Sequence, residues 1–463
     1  MKLMHHTLLI VVIISGIFNQ QAISQSTRKV TVTLLSSIDP SKLMNDSYTF
    51  SNNMKRIAYR ISEGKKQIVV VDTMRGTAYD NVSAPVFSGD SRNFAYMAKR
   101  GKTNLLIVNH KQNLMLDSLS NLYSMQFSSD NKSLSYILFD GRLYYMVFHG
   151  TKGKGYDAID ENSIAFTADG SKIAYSATKK DKQTNVYDGV EGPLYDKVGF
   201  PILSGNGKRL AYWATEGNIF YVIADGKKSR AYESVNAIIF SNDAKHLAYH
   251  ATRSAKHVVV YDGLESELYQ FVHTLSFSPD GTRFVYAMEL FVENKHDFFH
   301  YAIIDGVKQG PYETLVEGSF KFSDNGAHLV FEVENHDQFS IIFDGIDGTH
   351  YSDVMQATAT FSADNSHFAY AAELFDTRRI LNYDGKESIP YDDIYSVAIS
   401  PDNLRYAYSA RLNNSDFVVA DGSNGPSFET ILGQGRVFFD DANSFHYMAM
   451  KEQKFYLVEE RFE

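Results

Sequence analysis

Glutamate recurs at one position in three consecutive copies of a repeat that fills most of this chain. Glu289, Glu334 and Glu373 each stand three residues past the aromatic of the second strand-like segment of their copy, and Arg411 takes the position in the next copy. The six earlier copies hold Ser62, Lys99, Phe139, Thr178, Thr215 and Thr252 there. If these copies lie side by side, three carboxylates meet on one rim. They read either as a solvated acidic edge or as a contact for a partner with a basic or mixed surface, with on-rates that fall as salt rises. Phe291 and Phe375 stand two residues after Glu289 and Glu373. An aromatic anchor flanked by charge is a common hot-spot arrangement, so Glu289, Phe291, Glu334, Glu373 and Phe375 are the candidate binding residues.

Other residue patterns point to chemistry less well. His246 with His250 and His296 with His300 are each four apart. On a helix such pairs share a metal, but along a strand four residues span about 13 Å, too far for one zinc. The recurrent Asp-Gly pairs offer carboxylates, yet calcium needs several oxygens converging and these pairs come one per copy. Gly153-Lys154-Gly155-Tyr156-Asp157-Ala158 matches a dinucleotide fingerprint in letters only, because no helix follows to hold a pyrophosphate. The sequence has no Gly-x-Ser-x-Gly elbow, no Walker-type loop and no Cys. No catalytic residue, cofactor or metal site is assigned.

These residues must be positioned by the repeat itself. An apolar residue, followed in most copies by Ser and then a turn, anchors each copy, at Phe50, Phe87, Phe127, Phe166, Leu203, Phe240, Phe277, Phe322, Phe361, Ile399 and Phe439. The spacing averages about 39 residues. Each copy reads as four short strands. The first ends in the anchor, as in Leu275-Ser276-Phe277-Ser278, and a turn such as Pro279-Asp280-Gly281 follows. The second centres on Ala-Tyr, as at Ala174-Tyr175 and Ala369-Tyr370, and the third is β-branched and ends in Asp-Gly, as at Asp262-Gly263. The fourth is read as opening with Tyr and an acid, as at Tyr79-Asp80 and Tyr232-Glu233. Four strands in about 40 residues is the size of one β-propeller blade. Such a unit buries its faces only by stacking on its neighbours.

The Phe-Ser-x-Asp turn, the Ala-Tyr strand and the Val-Val-x-Asp-Gly strand resemble the WD-repeat-like (PD-type) blades of TolB-type bacterial propellers, and similar blades occur in the N-terminal half of tricorn-type proteases. The resemblance covers residues 48–463. It implies an all-β propeller fold in an exported protein. The Trp usual in that family before the Ser is Phe, Leu or Ile here, and neither an α/β domain preceding the blades nor room for a protease domain is present.

Eleven copies exceed the ~4–8 blades of one ring. Two rings in tandem are therefore the conservative expectation, blades 1–5 over 48–235 and blades 6–11 over 236–463, with one oversized ring as the alternative. The last copy holds three strands, and an orphan strand with alternating Val and Thr, Lys29–Leu35, lies before the first. Within the N-terminal segment 25–47 this strand is expected to pair with Phe455–Val458 and close the last blade, which hides open sheet edges.

The 463-residue chain is 44% hydrophobic and 14% aromatic, with 32 Phe, 30 Tyr and one Trp. Flat rings favour strands. A net charge of -10 lacks the basic footprint of a nucleic-acid binder. Residues 1–24 read as a signal peptide: Lys2, an apolar run from Thr7 to Phe18, then Ala22-Ile23-Ser24 with cleavage expected before Gln25. No later segment is apolar enough to span a membrane. Periplasmic or extracellular placement follows, and a chain without Cys suits a bacterial envelope. The first functional reading is an exported, non-catalytic scaffold that binds a protein or glycan. The alternative is a propeller-type lyase or hydrolase with its site in the central channel, and a third role is a structural part of an envelope complex.

Overall fold

The computed structural model describes residues 28–37, 39, 41–44, 48–115, 121–293 and 297–463. The expected signal peptide with its cleavage point, and His296, lie outside the described residues. The sequence folds into eleven antiparallel sheets arranged as the blades of a single ring. In the seventh blade the strands run from the channel outward as Phe271–Phe277, Phe284–Val292, Asp297–Ile304 and Val307–Tyr312.

The repeated letters are turn chemistry. In the seventh blade Ser278 is fully buried. Its hydroxyl donates to Asp280 Oδ1 at 2.5 Å and accepts from the Arg283 N–H at 2.9 Å, closing the turn between first and second strands. The Asp-Gly pair after the third strand puts both residues at positive φ, Asp305 at 51° and Gly306 at 82°. That two-residue geometry matches the twist of the flanking strands, and glycine adopts it without strain. Asp305 also accepts from the Phe284 N–H and from Arg283 Nε, both at 2.9 Å. These carboxylates are engaged in holding hairpins.

One boundary differs from the sequence reading. The fourth strand starts directly after the turn that ends the third, as Met74–Arg75 after Asp72-Thr73 in the first blade, and the tyrosine ends this outer segment: Tyr79 bridges Gln67 of the third strand. The reason is what the ring does next. It reaches into the following blade and meets the Ala-Tyr ring there, edge to face, in pairs Tyr156–Tyr175 (6.2 Å), Tyr232–Tyr249 (5.9 Å) and Tyr391–Tyr408 (5.8 Å). Such pairs add about 0.5–1.5 kcal/mol beyond their burial. The acid after the tyrosine crosses as well: Asp80 accepts from the Gly101 N–H and Asp196 from the Gly217 N–H, both at 2.6 Å, and Glu233 from Ser254 at 2.8 Å. Where it occurs, the Tyr-acid pair staples a blade to its successor.

Apolar clusters lie at the blade boundaries. Ala211 and Val222 of the fifth blade pack with Val235, Ile238 and Tyr249 of the sixth, so the ring is unbroken at the division expected near residue 235. The first blade packs on the eleventh: Ile57 and Tyr59 share a cluster with Met448, Phe455 and Leu35. His446 Nε2 lies 2.7 Å from the Asn53 carbonyl, and Lys55 pairs with Asp440 at 2.7 Å. One oversized ring, the alternative of the sequence reading, is the architecture. The boundary between the fourth and fifth blades is the polar one. There the fourth blade gives its cluster only Tyr195, and buried Asn185 donates from Nδ2 to the Gly199 carbonyl (2.9 Å) while accepting from Ser176 Oγ (2.7 Å).

The closing strand pairs as expected. Arg28–Ser37 runs antiparallel to Lys454–Phe462, with Val32 opposite Val458 and Leu34 opposite Tyr456, and forms the outer edge of the eleventh blade. Its attachment rests on charge more than on apolar burial. Val30, Val32 and Leu34 are exposed, whereas the Arg28 guanidinium is buried against Glu460 at 2.8 Å.

Candidate functional site

The seventh blade has a longer central hairpin than its neighbours. Its second and third strands, Phe284–Val292 and Asp297–Ile304, run nine and eight residues where the sixth blade has seven and six. The extension lifts aromatic side chains above the ring face that carries the second-to-third strand turns. Phe291 is 49% exposed and meets Phe298, 40% exposed, edge-on at 5.2 Å. Phe271, 42% exposed, stands 6.3 Å from Phe298. The expected anchor Phe291 thus belongs to a patch of three rings. Phe375, 65% exposed, caps a separate turn two blades on, which the Asp376–Arg378 pair holds at 2.6 Å.

The glutamates occupy the equivalent strand position in adjacent blades but do not act as one cluster. Glu289 faces His300 across the hairpin and Phe271 across the inner strand, and its Oε1 lies 2.5 Å from His273 Nε2. Glu373 is opposite Arg379 and paired with it at 3.3 Å, and the same arginine binds Asp393. Glu334 is opposite Phe339, half-buried. Arg411, the next member of the series, turns instead onto buried Asp416 at 2.7 Å.

Histidines crowd around Glu289. The inner strand bulges: Val272 faces Met288 but Leu275 faces Tyr286, so three residues run against two. Bulges re-aim side chains, and here His273 reaches Glu289. His300 Nε2 lies 3.7 Å from the same carboxylate oxygen, and the two imidazoles stack at 5.6 Å. On the neighbouring blade His250 Nε2 is 2.7 Å from His257 Nδ1, and His257 lies 5.5 Å from Phe271. Burial pushes the His250 pKa down to about 4, with His257 and His273 adding to the effect. Burial also lowers His257 and His300. These rings are neutral near pH 7.

Of the histidines spaced by four in the sequence, His246 and His250 take different partners, Asp262 and His257. His246 is hydrogen-bonded to Asp262 at 2.6 Å in the turn region before the strand that carries His250. The operative group is His273, Glu289 and His300, one from each of three strands. A signal existed in the hairpin: Glu289 with His300, and Phe291 with Phe298, lie equally far from its turn and therefore face each other.

Two further features lie away from this patch. A cavity of about 530 Å³ opens where the tenth, eleventh and first blades meet, walled by Phe50, Leu432 and Phe455, with Arg411 and Asp416 at its polar end. Glu332 of the eighth blade is buried, its Oε2 has no hydrogen-bond partner among the described residues, and burial raises its carboxyl pKa to about 7, with nearby Asp353 adding. None of the described helices is long and apolar enough to cross a membrane.

No protein-family model matches the chain, and neither does any curated protein. Among solved structures, the crystal structure of a eukaryotic initiation factor is 13% identical, covers 73% of this chain and 96% of its own, and has a TM-score of 0.40. The β-propeller domain of the Trilobed protease from Pyrococcus furiosus is 14% identical over 57% of this chain and 93% of its own, with a TM-score of 0.29. Hsv2 of Kluyveromyces lactis is 10% identical over 57% and 97%, with a TM-score of 0.27. The assignment of the chain as a β-propeller rests on its own strand pairing.

Proposed function

We propose that this chain is an exported, non-catalytic β-propeller scaffold of the cell envelope, with TolB-like blades, that docks a protein partner on the face carrying Phe271, Phe291 and Phe298. The observation that carries the reading is that three phenylalanine rings, each about half exposed, stand together on three paired strands of one blade beside Glu289. Solvent-exposed aromatics on a fixed backbone lose little conformational entropy on docking and are typical interface anchors. Glu373 and Phe375 extend the same face two blades further round. Export is supported by the apolar run Thr7–Phe18 and the small residues Ala22-Ile23-Ser24.

The test is affinity capture from an envelope extract with the wild-type chain and with Phe291→Ala/Phe298→Ala and Phe291→Ala/Phe375→Ala variants. Loss of the captured protein, with melting temperature retained, supports the reading. Equal yield from all three moves the site elsewhere, and recovery of a glycan instead of a protein replaces the partner class. Mass spectrometry of the chain from its native host checks export, with a new N-terminus near Gln25 expected and intact Met1 contradicting it. The second reading, a lyase or hydrolase, is favoured by the 530 Å³ cavity with Arg411 and Asp416 at one end. Turnover in a glycan and peptide screen that is abolished by Arg411→Ala would establish it.

A further inference from the structure

We propose that His273, Glu289 and His300 bind a divalent transition-metal ion of the zinc class. One ligand atom from each lies within 4.8 Å of the others. Zinc bound at about 2.0–2.2 Å to two imidazole nitrogens and one carboxylate oxygen holds its ligand atoms ~3.3 Å apart in a tetrahedron. The two separations to Glu289 Oε1, 2.5 Å from His273 and 3.7 Å from His300, bracket that value. The third separation, between the two imidazole nitrogens, is at most 4.8 Å, so side-chain shifts of about 1.5 Å or less reach the tetrahedral value.

Three further observations favour a metal over a plain ion pair. The ligands come from three hydrogen-bonded strands of one blade, and such rigid elements hold a coordination geometry better than loops do. The His300 Nε2 contact to Glu289, at 3.7 Å, is beyond hydrogen-bond length, so no hydrogen bond to that carboxylate competes with a cation for this nitrogen. The two imidazoles face the same carboxylate oxygen and stack on each other at 5.6 Å, and a neutral imidazole donates a lone pair to a metal. The mixed nitrogen and oxygen set selects zinc-class ions over calcium or magnesium, which take oxygen ligands. Two histidines and one glutamate also leave a fourth position open for water or an incoming donor.

The experiment titrates ZnCl2 calorimetrically into the chelator-stripped chain, purified without a polyhistidine tag. One ion per chain is expected. His273→Asn, Glu289→Gln and His300→Asn each weaken binding by about 100-fold or more, beyond the ~10–100-fold typical of outer-shell partners. His246→Asn and His328→Asn, which alter histidines paired to aspartates elsewhere, leave it unchanged. Cobalt(II) added to the wild-type chain reads the geometry independently of whether any variant folds. Intense visible bands indicate a tetrahedral site, and weak octahedral bands overturn it. The absence of stoichiometric zinc binding, or full affinity in the folded His273→Asn variant, overturns the proposal as well.

Discussion

Replacing Arg28 by Met should destabilise the ring by about 3–5 kcal/mol at pH 8, and by much less at pH 5. The guanidinium does several things at once. Nε contacts Glu460 Oε2 at 2.8 Å, and both side chains are almost wholly buried. The two terminal nitrogens donate to the Ala420 and Ser423 carbonyls, each at 3.0 Å, which ties the closing strand to the tenth blade. Glu460 Oε1 accepts from the Tyr447 hydroxyl at 2.8 Å, while Oε2 receives no well-aligned hydrogen bond, so charge attraction to Arg28 is its compensation. Breaking a buried pair from one side leaves an uncompensated charge, which costs ~3–5 kcal/mol. The apolar share of the strand is smaller: Leu35 is its buried hydrophobic residue, worth about 1.5–3 kcal/mol. Burial raises the folded pKa of Glu460 above its ordinary 4.5, and Arg28 opposes that rise. Without Arg28 the pKa climbs further. A raised folded pKa gives stability that is complete below the unfolded value and lost as pH rises through the folded one. The deficit of Arg28→Met therefore opens between the folded pKa of Glu460 in the wild type and its higher value in the variant, and is largest above the latter. Denaturant melts at pH 5 and pH 8 read it, and Glu460→Gln in the Arg28→Met background should recover most of the loss. An equal deficit at both pH values, or no recovery from the second change, would refute the reasoning.

Glu332→Gln should stabilise the protein by about 3 kcal/mol at pH 8 and by almost nothing below pH 4.5. The wild type must ionise a buried carboxyl whose pKa stands at about 7 against 4.5, each unit being worth ~1.4 kcal/mol, and the gain should grow as pH rises between those values. A pH-independent difference in denaturant midpoint would contradict it. Asn185→Ala should cost about 1–3 kcal/mol by leaving the Gly199 carbonyl and the Ser176 hydroxyl with only their long 3.5 Å contact to each other in a buried boundary, whereas Asn104→Ala, an exposed pairing with Asn121, should fall within ~0.5 kcal/mol. Comparable losses in the two variants would show that the polar boundary carries no special cost.

Blade structure was legible because each blade needs the same local solutions. The Ser-x-Asp turn and the Asp-Gly hairpin require small polar residues at fixed offsets, and those offsets survive in the letters at Ser278, Asp280 and Asp305. The number of rings was not legible, since boundary packing such as Ala211 and Val222 on Val235 looks alike in any ring and says nothing of closure angle. The fourth strand was misplaced by a few residues because Tyr79 belongs to two blades at once, bridging Gln67 while joining the cluster of Tyr96. The acidic series was visible as Glu289, Glu334 and Glu373, but its partners were not. His273 and Arg379 reach two of them from other strands, and the His273 contact depends on a bulge that no local spacing announces.

The closing strand also sets an order of assembly. Each blade buries its apolar faces against its neighbours alone, so the intermediate blades can form from contacts close in sequence. Arg28 is different: its hydrogen bond to Ala420 spans 392 residues. Long-range contacts of that kind form late, because the intervening chain must organise first. The closing strand therefore docks after the blades between it and Lys454–Phe462 have formed, and stays an unpaired edge until then. Its composition suits that wait. Thr31 and Thr33 alternate with Val30 and Val32 behind two cations, Arg28 and Lys29, a pattern that offers a partner strand a good fit while charge discourages pairing with another unfinished copy.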